Sequence, residues 1–142
     1  MKSLIAIGLF SILYSSASFA EAPADNSINE KKKAKIVSRL YQATYGSIER
    51  CKEATPDASQ EFKNELNRFV EINANLVNLM TRSPYYEAAR KKFANHFNVD
   101  PALDTTKSLS GECKYLASLL RDMNDNPSGK KAAKEYEVLL SN

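Results

Sequence analysis

The sequence predicts an all-α fold, an antiparallel bundle of four main helices plus a short C-terminal helix, joined by one disulfide. Apolar residues recur at intervals of three and four through most of the chain after residue 26. Only four glycines occur in 142 residues, and together with proline they punctuate a few segment boundaries. The two cysteines, Cys51 and Cys113, both fall on apolar helical stripes. These three observations favour long helices over a β fold.

The first twenty residues have the pattern of a cleavable secretory signal. A single basic residue, Lys2, precedes an apolar stretch from Leu4 to Tyr14, and small residues follow, including Ser18 and Ala20. The alternative is an uncleaved membrane anchor, but this stretch is too short to cross about 30 Å of hydrocarbon as a helix. We expect cleavage after Ala20, a disordered leader over residues 21–26, and a single helical domain over 27–142. The mature protein is then periplasmic or secreted, with no membrane span.

The first helix is predicted from Ser27 to about Glu53. Gly46 lies inside it and weakens it slightly. One face carries its apolar residues in helical spacing: Val37, Leu40, Tyr41, Thr44, Ile48 and Cys51.

The second helix is predicted from Pro56 to about Arg82. Thr55 can cap it, and a proline suits the first helical position. Ile72 and Leu79 widen its apolar face, which favours a central position with two neighbours. The rest of that face is Phe62, Leu66, Phe69, Val70, Leu76, Val77 and Met80.

Three further segments complete the predicted helices. Ser83-Pro84 repeats the cap-and-proline pattern before a third helix that ends near Phe97, and residues 98–106 are expected to form a loop. The fourth helix carries Leu109, Cys113, Leu116, Leu120 and Met123, and a break over residues 124–129 precedes the short last helix with Ala133, Tyr136, Leu139 and Leu140. Short connections between successive helices predict antiparallel packing of neighbours.

The cysteine pair is expected to form a structural disulfide, because exported proteins mature in oxidising surroundings. The bond would join the first helix to the fourth and bring the two Cα atoms within about 7 Å. Closing a loop of this length contributes roughly 4 kcal/mol. A redox or metal-binding thiol pair is the alternative, disfavoured because the cysteines are far apart and His96 is the only histidine.

No motif for catalysis, a cofactor or a metal is found, so the sequence predicts neither an enzyme nor a cofactor. A Ser-His-Asp site would depend on His96, and there is no G-x-S-x-G segment. The segment starting at Asp122 begins like a calcium loop, but Pro127 replaces the glycine that such a loop requires.

A partner-binding patch is predicted around Tyr85, with Arg82, Arg90 and Lys91 beside it, because tyrosine and arginine are enriched in binding hot spots. Packing and solubility are the alternative roles for these residues. The basic run from Lys31 to Lys35 fits either a solvated first turn or contact with an acidic partner, and the sequence leaves this open.

The overall charge argues against nucleic acid as a partner. Without Lys2 the 20 basic residues become 19, against 17 acidic residues. The function that we expect is therefore a non-catalytic exported protein that binds another, unknown protein in the envelope, as an inhibitor, immunity protein or chaperone. The alternatives are a carrier of small apolar ligands with a pocket between helices, and a hydrolase with an unrecognised site.

Overall fold

The structure is a computed structural model that describes residues 27–94 and 105–142. The predicted signal, its cleavage site, the leader and His96 lie outside the described residues, as does most of the predicted loop over 98–106. The chain divides into two compact units, Met1–Lys33 and Ala34–Asn142. In the first unit, residues 27–33 are helical, and Lys33 forms an ion pair with Glu30 at 3.4 Å.

In the second unit most of the described residues are helical and none forms a β-strand, which confirms the all-α class. Residues 34–43, which we call α1, are helical and lead into a 3-10 turn. The elements that follow are the 3-10 turn at Tyr45–Ser47, α2 (Ile48–Lys52), α3 (Pro56–Ile72), α4 (Ala74–Arg82), α5 (Tyr86–Ala94), α6 (Thr105–Asp125) and α7 (Pro127–Ser141).

The predicted first helix is not continuous to Glu53, because it breaks at Thr44 and resumes as α2. The hydroxyls of Thr44 and Ser47 donate to the carbonyls of Leu40 and Gln42, at 2.6 and 2.5 Å. Near the end of a helix, such hydroxyl groups can donate to backbone carbonyls that lack a partner in the helix. Gly46 permits the turn, since a Cβ there would lie only 2.8 Å from the Tyr41 ring.

The predicted second helix is also divided, at Asn73, into α3 and α4. Asn73 leaves helical geometry, with φ −110° and ψ 39°, although its N–H still donates to the carbonyl of Phe69 at 2.8 Å. Asparagine is a weaker helix former than most residues, which makes such a departure less costly here. Ile72 does not widen the buried face as expected, because it is 51% exposed.

The last two helices are longer than predicted. Helix α6 already begins at Thr105, inside the expected loop, and α7 spans 15 residues from Pro127. Gly129 therefore lies within a helix instead of a loop. An added Cβ would meet the backbone carbonyl oxygen of Asp122 at 2.0 Å, so α7 turns back directly onto the end of α6.

Helices α3 and α6 pack side by side and run parallel. Their contacts advance in the same direction along both helices, from the Thr55 N–H, which donates to Ser110 Oγ at 2.9 Å, to the ion pair of Arg68 with Asp125 at 2.5 Å. The core between and around them contains Phe62, Phe69, Leu76, Met80, Leu116 and Leu120.

A charged cluster toward the C-terminal ends of this pair surrounds the buried carboxylate of Glu65. Arg68 and Arg121 form ion pairs with it at 3.0 and 3.3 Å, and the buried Asn124 amide donates to it at 3.1 Å. Arg121 also pairs with Glu61 at 2.8 Å. Because Glu65 is only 8% exposed, these donors offset the loss of its hydration.

The Cys51–Cys113 disulfide is present, with a Cα–Cα distance of 5.8 Å. Both residues are buried, and the bond joins α2 to α6. Two ion pairs flank it, Arg50 with Glu112 at 2.8 Å and Lys114 with Asp57 at 2.9 Å. The predicted pairing is therefore confirmed, although α2 is a separate short helix and not the end of a long first helix.

Candidate functional site

The candidate site is a groove of about 510 Å³ between α1 and α5, which we call the binding groove. It is lined by Ala34, Lys35, Ser38, Arg39 and Gln42 from α1 and by Tyr85, Ala88, Ala89, Lys92 and Phe93 from the α5 side. On α1 the groove side lies beside the core side, where Val37 and Leu40 are buried. The amphipathic spacing of α1 thus sends one stripe to the core and the other to the groove.

The turn before α5 sets the position of Tyr85. Ser83 Oγ accepts the backbone N–H of Tyr85 at 3.2 Å, and the Ser83 carbonyl accepts that of Tyr86 at 3.1 Å. Ser83 therefore accepts hydrogen bonds from two backbone amides just before and at the start of α5, which is the capping role that its position before Pro84 predicts. Tyr85 is half-buried and packs against the core cluster while it also lines the groove.

An aromatic cluster fastens α5 to α1 beside the groove. The ring of Tyr41 lies 5.5 Å from that of Tyr86 in an edge-to-face arrangement, and 5.9 Å from that of Phe93. Such pairs stabilise a contact beyond the area that they bury. Burial of the Tyr86 hydroxyl raises its pKa. This cluster connects the two walls of the groove.

Three exposed cations border the groove: Lys35 and Arg39 on α1, one turn apart, and Lys92 on α5. None of the ten lining residues is acidic. Within residues 27–94 and 105–142, no carboxylate forms an ion pair with these three side chains. The groove therefore presents positive charge around an apolar floor, and that charge is not neutralised by the described part of the chain.

The structure distributes the four predicted patch residues over different settings. Tyr85 lines the groove, whereas Arg82 is exposed at the end of α4. Arg90 is exposed but bound to Glu87 through two hydrogen bonds of 2.9 and 2.6 Å, which lower the pKa of Glu87. Lys91 is exposed and is not part of the groove lining.

Sequence reasoning missed Lys35, Arg39 and Lys92 as groove residues. Of the basic run from Lys31 to Lys35, only Lys35 belongs to the lining. A usable signal was present in the small residues Ala34 and Ser38, which are spaced one turn apart on α1 beside these cations. Small residues in helical spacing leave room for another element to approach.

A second groove, of about 340 Å³, lies among α1, α6 and α7 and is mostly apolar. Its apolar lining is Leu40, Ala43, Leu116, Leu119, Leu120, Met123, Ala132 and Tyr136. Arg39 and Gln42 border both grooves, so α1 forms a wall shared by the two.

Two further features of the described residues bear on function. They contain no group of three or more His, Cys, Asp and Glu side chains placed to hold a metal ion. None of their helices combines the length and the apolar composition needed to cross a bilayer.

Comparisons with protein-family models, with curated proteins and with solved structures find no match to this chain.

Proposed function

We propose that this chain is an exported, non-catalytic protein that binds another protein through the binding groove, as an inhibitor, immunity protein or chaperone does. The observation that carries the proposal is the groove itself, with Lys35, Arg39 and Lys92 around an apolar floor and no carboxylate in its lining. Charge that no carboxylate of the described residues pairs with, next to an aromatic side chain such as Tyr85, is typical of a binding site.

The amino acid types in the groove favour binding over chemistry. General acid–base catalysis needs a group that exchanges a proton near neutral pH, most often histidine or a carboxylate. The ten lining residues include neither type. Arginine, lysine, tyrosine and small residues instead supply contact area and orientation for a ligand.

Two observations support export. The first twenty residues follow the order of a secretory signal: a basic start, an apolar stretch and small residues before Glu21. The Cys51–Cys113 bond also fits an oxidising compartment, because cytosolic proteins rarely keep structural disulfides. We therefore propose that the mature protein resides in the periplasm or outside the cell.

The test is affinity capture from an envelope extract with the mature, oxidised protein and two tryptophan variants. Ala88 is exposed and lines the groove, so Ala88→Trp fills the groove without disturbing the core. Ala74→Trp adds the same side chain at an exposed site on α4. We expect a stoichiometric partner that the wild type and Ala74→Trp retain and Ala88→Trp loses. Recovery of the bait alone, or equal capture by all three proteins, contradicts the proposal.

The second candidate function is a carrier of small apolar ligands, and the apolar groove among α1, α6 and α7 favours it. Its volume of about 340 Å³ lies within the range of small-molecule sites. Leu119 lines it and is 37% exposed. Organic extraction of purified protein, followed by mass spectrometry, should yield a bound apolar compound that Leu119→Trp no longer retains. Extracts without such a compound count against a carrier.

We also propose that the helices adjacent in sequence pack antiparallel as one bundle. The return of α7 onto α6, with Gly129 against Asp122, supports this for the last pair. The hydrogen bond from Asn75 to Glu137 places α7 beside α4 as well. Distances between spin labels at the ends of α1 and α3 test the arrangement for the first pair.

A further inference from the structure

We propose that the segment of the partner seated in the binding groove is an amphipathic α-helix with acidic residues on both sides of its apolar stripe. This inference rests on the proposed function, since it names the chemistry of the occupant of the same groove. It is carried by the shape of the groove and by the placement of its charges.

The shape of the groove fits a helix. Both walls are helical, and the lining residues of α1 run from Ala34 to Gln42, a rise of about 12 Å or two turns. The side chains that line the walls include small ones, which leave the groove open between the two helices: Ala34 and Ser38 on α1 and Ala88 on α5. Two helices with small residues between them leave a channel into which a third helix packs at about 8–10 Å from each axis.

The charges define which helix fits. Lys35 and Arg39 lie one turn apart on α1, so two carboxylates one turn apart on the partner can pair with both. Lys92 stands on the opposite wall and requires a carboxylate on the other side of the apolar stripe. The anchors between these acids are apolar side chains, which contact Tyr85 just before α5 and Phe93 near the end of α5, next to Lys92.

Other modes of peptide recognition fit less well. Addition of a β-strand needs an exposed sheet edge, and the described residues contain no strand. A polyproline segment needs a row of aromatic side chains, whereas here Tyr85 and Phe93 are the two aromatic residues among ten. A helix with flanking acids is the occupant that uses both the floor and the cations.

The first experiment uses a fluorescein-labelled synthetic peptide of about five turns, in which leucines follow helical spacing and glutamates flank them on both sides. Binding to the mature, oxidised protein is followed by fluorescence anisotropy. Three control peptides carry glutamine for every glutamate, lysine for every glutamate, or the original residues in scrambled order. We expect binding of the acidic helical peptide, weaker binding of the glutamine peptide, and none of the other two.

The second experiment replaces the cations. Lys35→Gln, Arg39→Gln and Lys92→Gln are exposed changes, and each should weaken peptide binding by about two- to fivefold, the range of exposed ion pairs. Lys131→Gln, at an exposed position on α7 outside the groove, is the matched control and should bind like the wild type. Raising the salt concentration should weaken binding to the wild type more than to the triple glutamine variant.

The inference is overturned if the scrambled peptide binds as well as the helical one, or if the triple variant binds like the wild type. Lack of binding of the acidic peptide overturns it as well. The proposed function is judged separately, by loss of the captured protein in Ala88→Trp. A groove-dependent partner whose cross-linked segment is neither acidic nor helical would leave the function standing and remove this inference alone.

Discussion

Replacement of Gly129 by alanine should destabilise the protein, although such a change inside a helix usually has the opposite effect. The added Cβ would lie 2.0 Å from the carbonyl oxygen of Asp122 and 2.3 Å from its carbonyl carbon, where real contacts do not fall below 3.0 Å. Both are backbone atoms, so no rotation of a side chain relieves the overlap. Helix α7 must move away from α6 by about 1 Å or more, as in an overpacked core.

The magnitude follows from two opposing effects. Overpacking costs about 1–3 kcal/mol and occasionally more, and a clash with backbone lies at the upper end of that range. Alanine regains about 0.5–1 kcal/mol of helix propensity relative to glycine. The displacement also loosens Ala133, which is 3% exposed, and the bond between Asn75 and Glu137. We expect a net loss of about 2 kcal/mol in the free energy of unfolding, or roughly 8 °C in Tm.

Gly111 provides the matched control. It lies in the middle of α6, and an added Cβ would meet nothing within 4 Å. Gly111→Ala should therefore stabilise the protein by about 0.5–1 kcal/mol, through helix propensity alone. Urea unfolding of both oxidised variants, followed by circular dichroism, measures the difference. Equal or greater stability of Gly129→Ala relative to the wild type would refute the close approach of α7 to α6.

Three further predictions concern the charged cluster, acid and the disulfide. Glu65→Ala should lower the free energy of unfolding by roughly 2–3 kcal/mol, because the buried Asn124 amide and two partly exposed arginines, Arg68 and Arg121, lose their shared acceptor. Glu61→Ala should cost about 0.5 kcal/mol, and urea midpoints compare the two. Hydrogen bonds from the Thr55 hydroxyl and from Lys114 hold the pKa of Asp57 far below its ordinary 3.8. Because the folded-state pKa is depressed, this stabilisation is complete above the unfolded value and is lost as the pH falls toward the folded one. Unfolding midpoints between pH 5 and 2 should therefore decline less in Asp57→Asn than in the wild type. Reduction of the bond between Cys51 and Cys113 should cost about 4 kcal/mol, given the 62-residue separation, and a reductant-insensitive melting temperature would contradict this.

The features that sequence predicted well are those set by local chemistry. Helix α3 starts at Pro56, as Thr55-Pro56 predicts, since proline fixes its own backbone and excludes a helical hydrogen bond. Ser83-Pro84 predicts the next start less closely, because Pro84 lies in a turn and α5 begins at Tyr86. At Thr55 only the position is confirmed. Its side chain makes no cap hydrogen bond to the helix and instead bonds Asp57.

The breaks within the predicted long helices were not visible in the apolar spacing. Hydrophobic periodicity continues across Asn73 and across Gly46, because the chain bends there without losing its buried face. Likewise, the sequence alone predicts a loop at Gly129, whereas the structure shows it in α7, packed against the end of α6. The reason for a glycine at this position lies in a contact between helices, which no local pattern encodes.

The candidate groove was predicted only in part, through Tyr85. The contribution of Arg39 depends on how α5 lies on α1, which the contacts of Tyr41 with Tyr86 and Phe93 determine. An exposed arginine on an amphipathic helix looks the same in sequence whether it borders a groove or faces solvent. Charge placement becomes informative once the two walls are known.

The position of the covalent cross-link has a mechanical consequence. The disulfide and its flanking ion pairs fasten α2 and the start of α3 to α6, whereas aromatic contacts connect α5 to α1. A displacement of α5 relative to α1 would change the width of the binding groove without straining the bond between Cys51 and Cys113. We therefore expect amide hydrogens of α5 to exchange faster than those of α6, and to exchange more slowly when the binding groove is occupied.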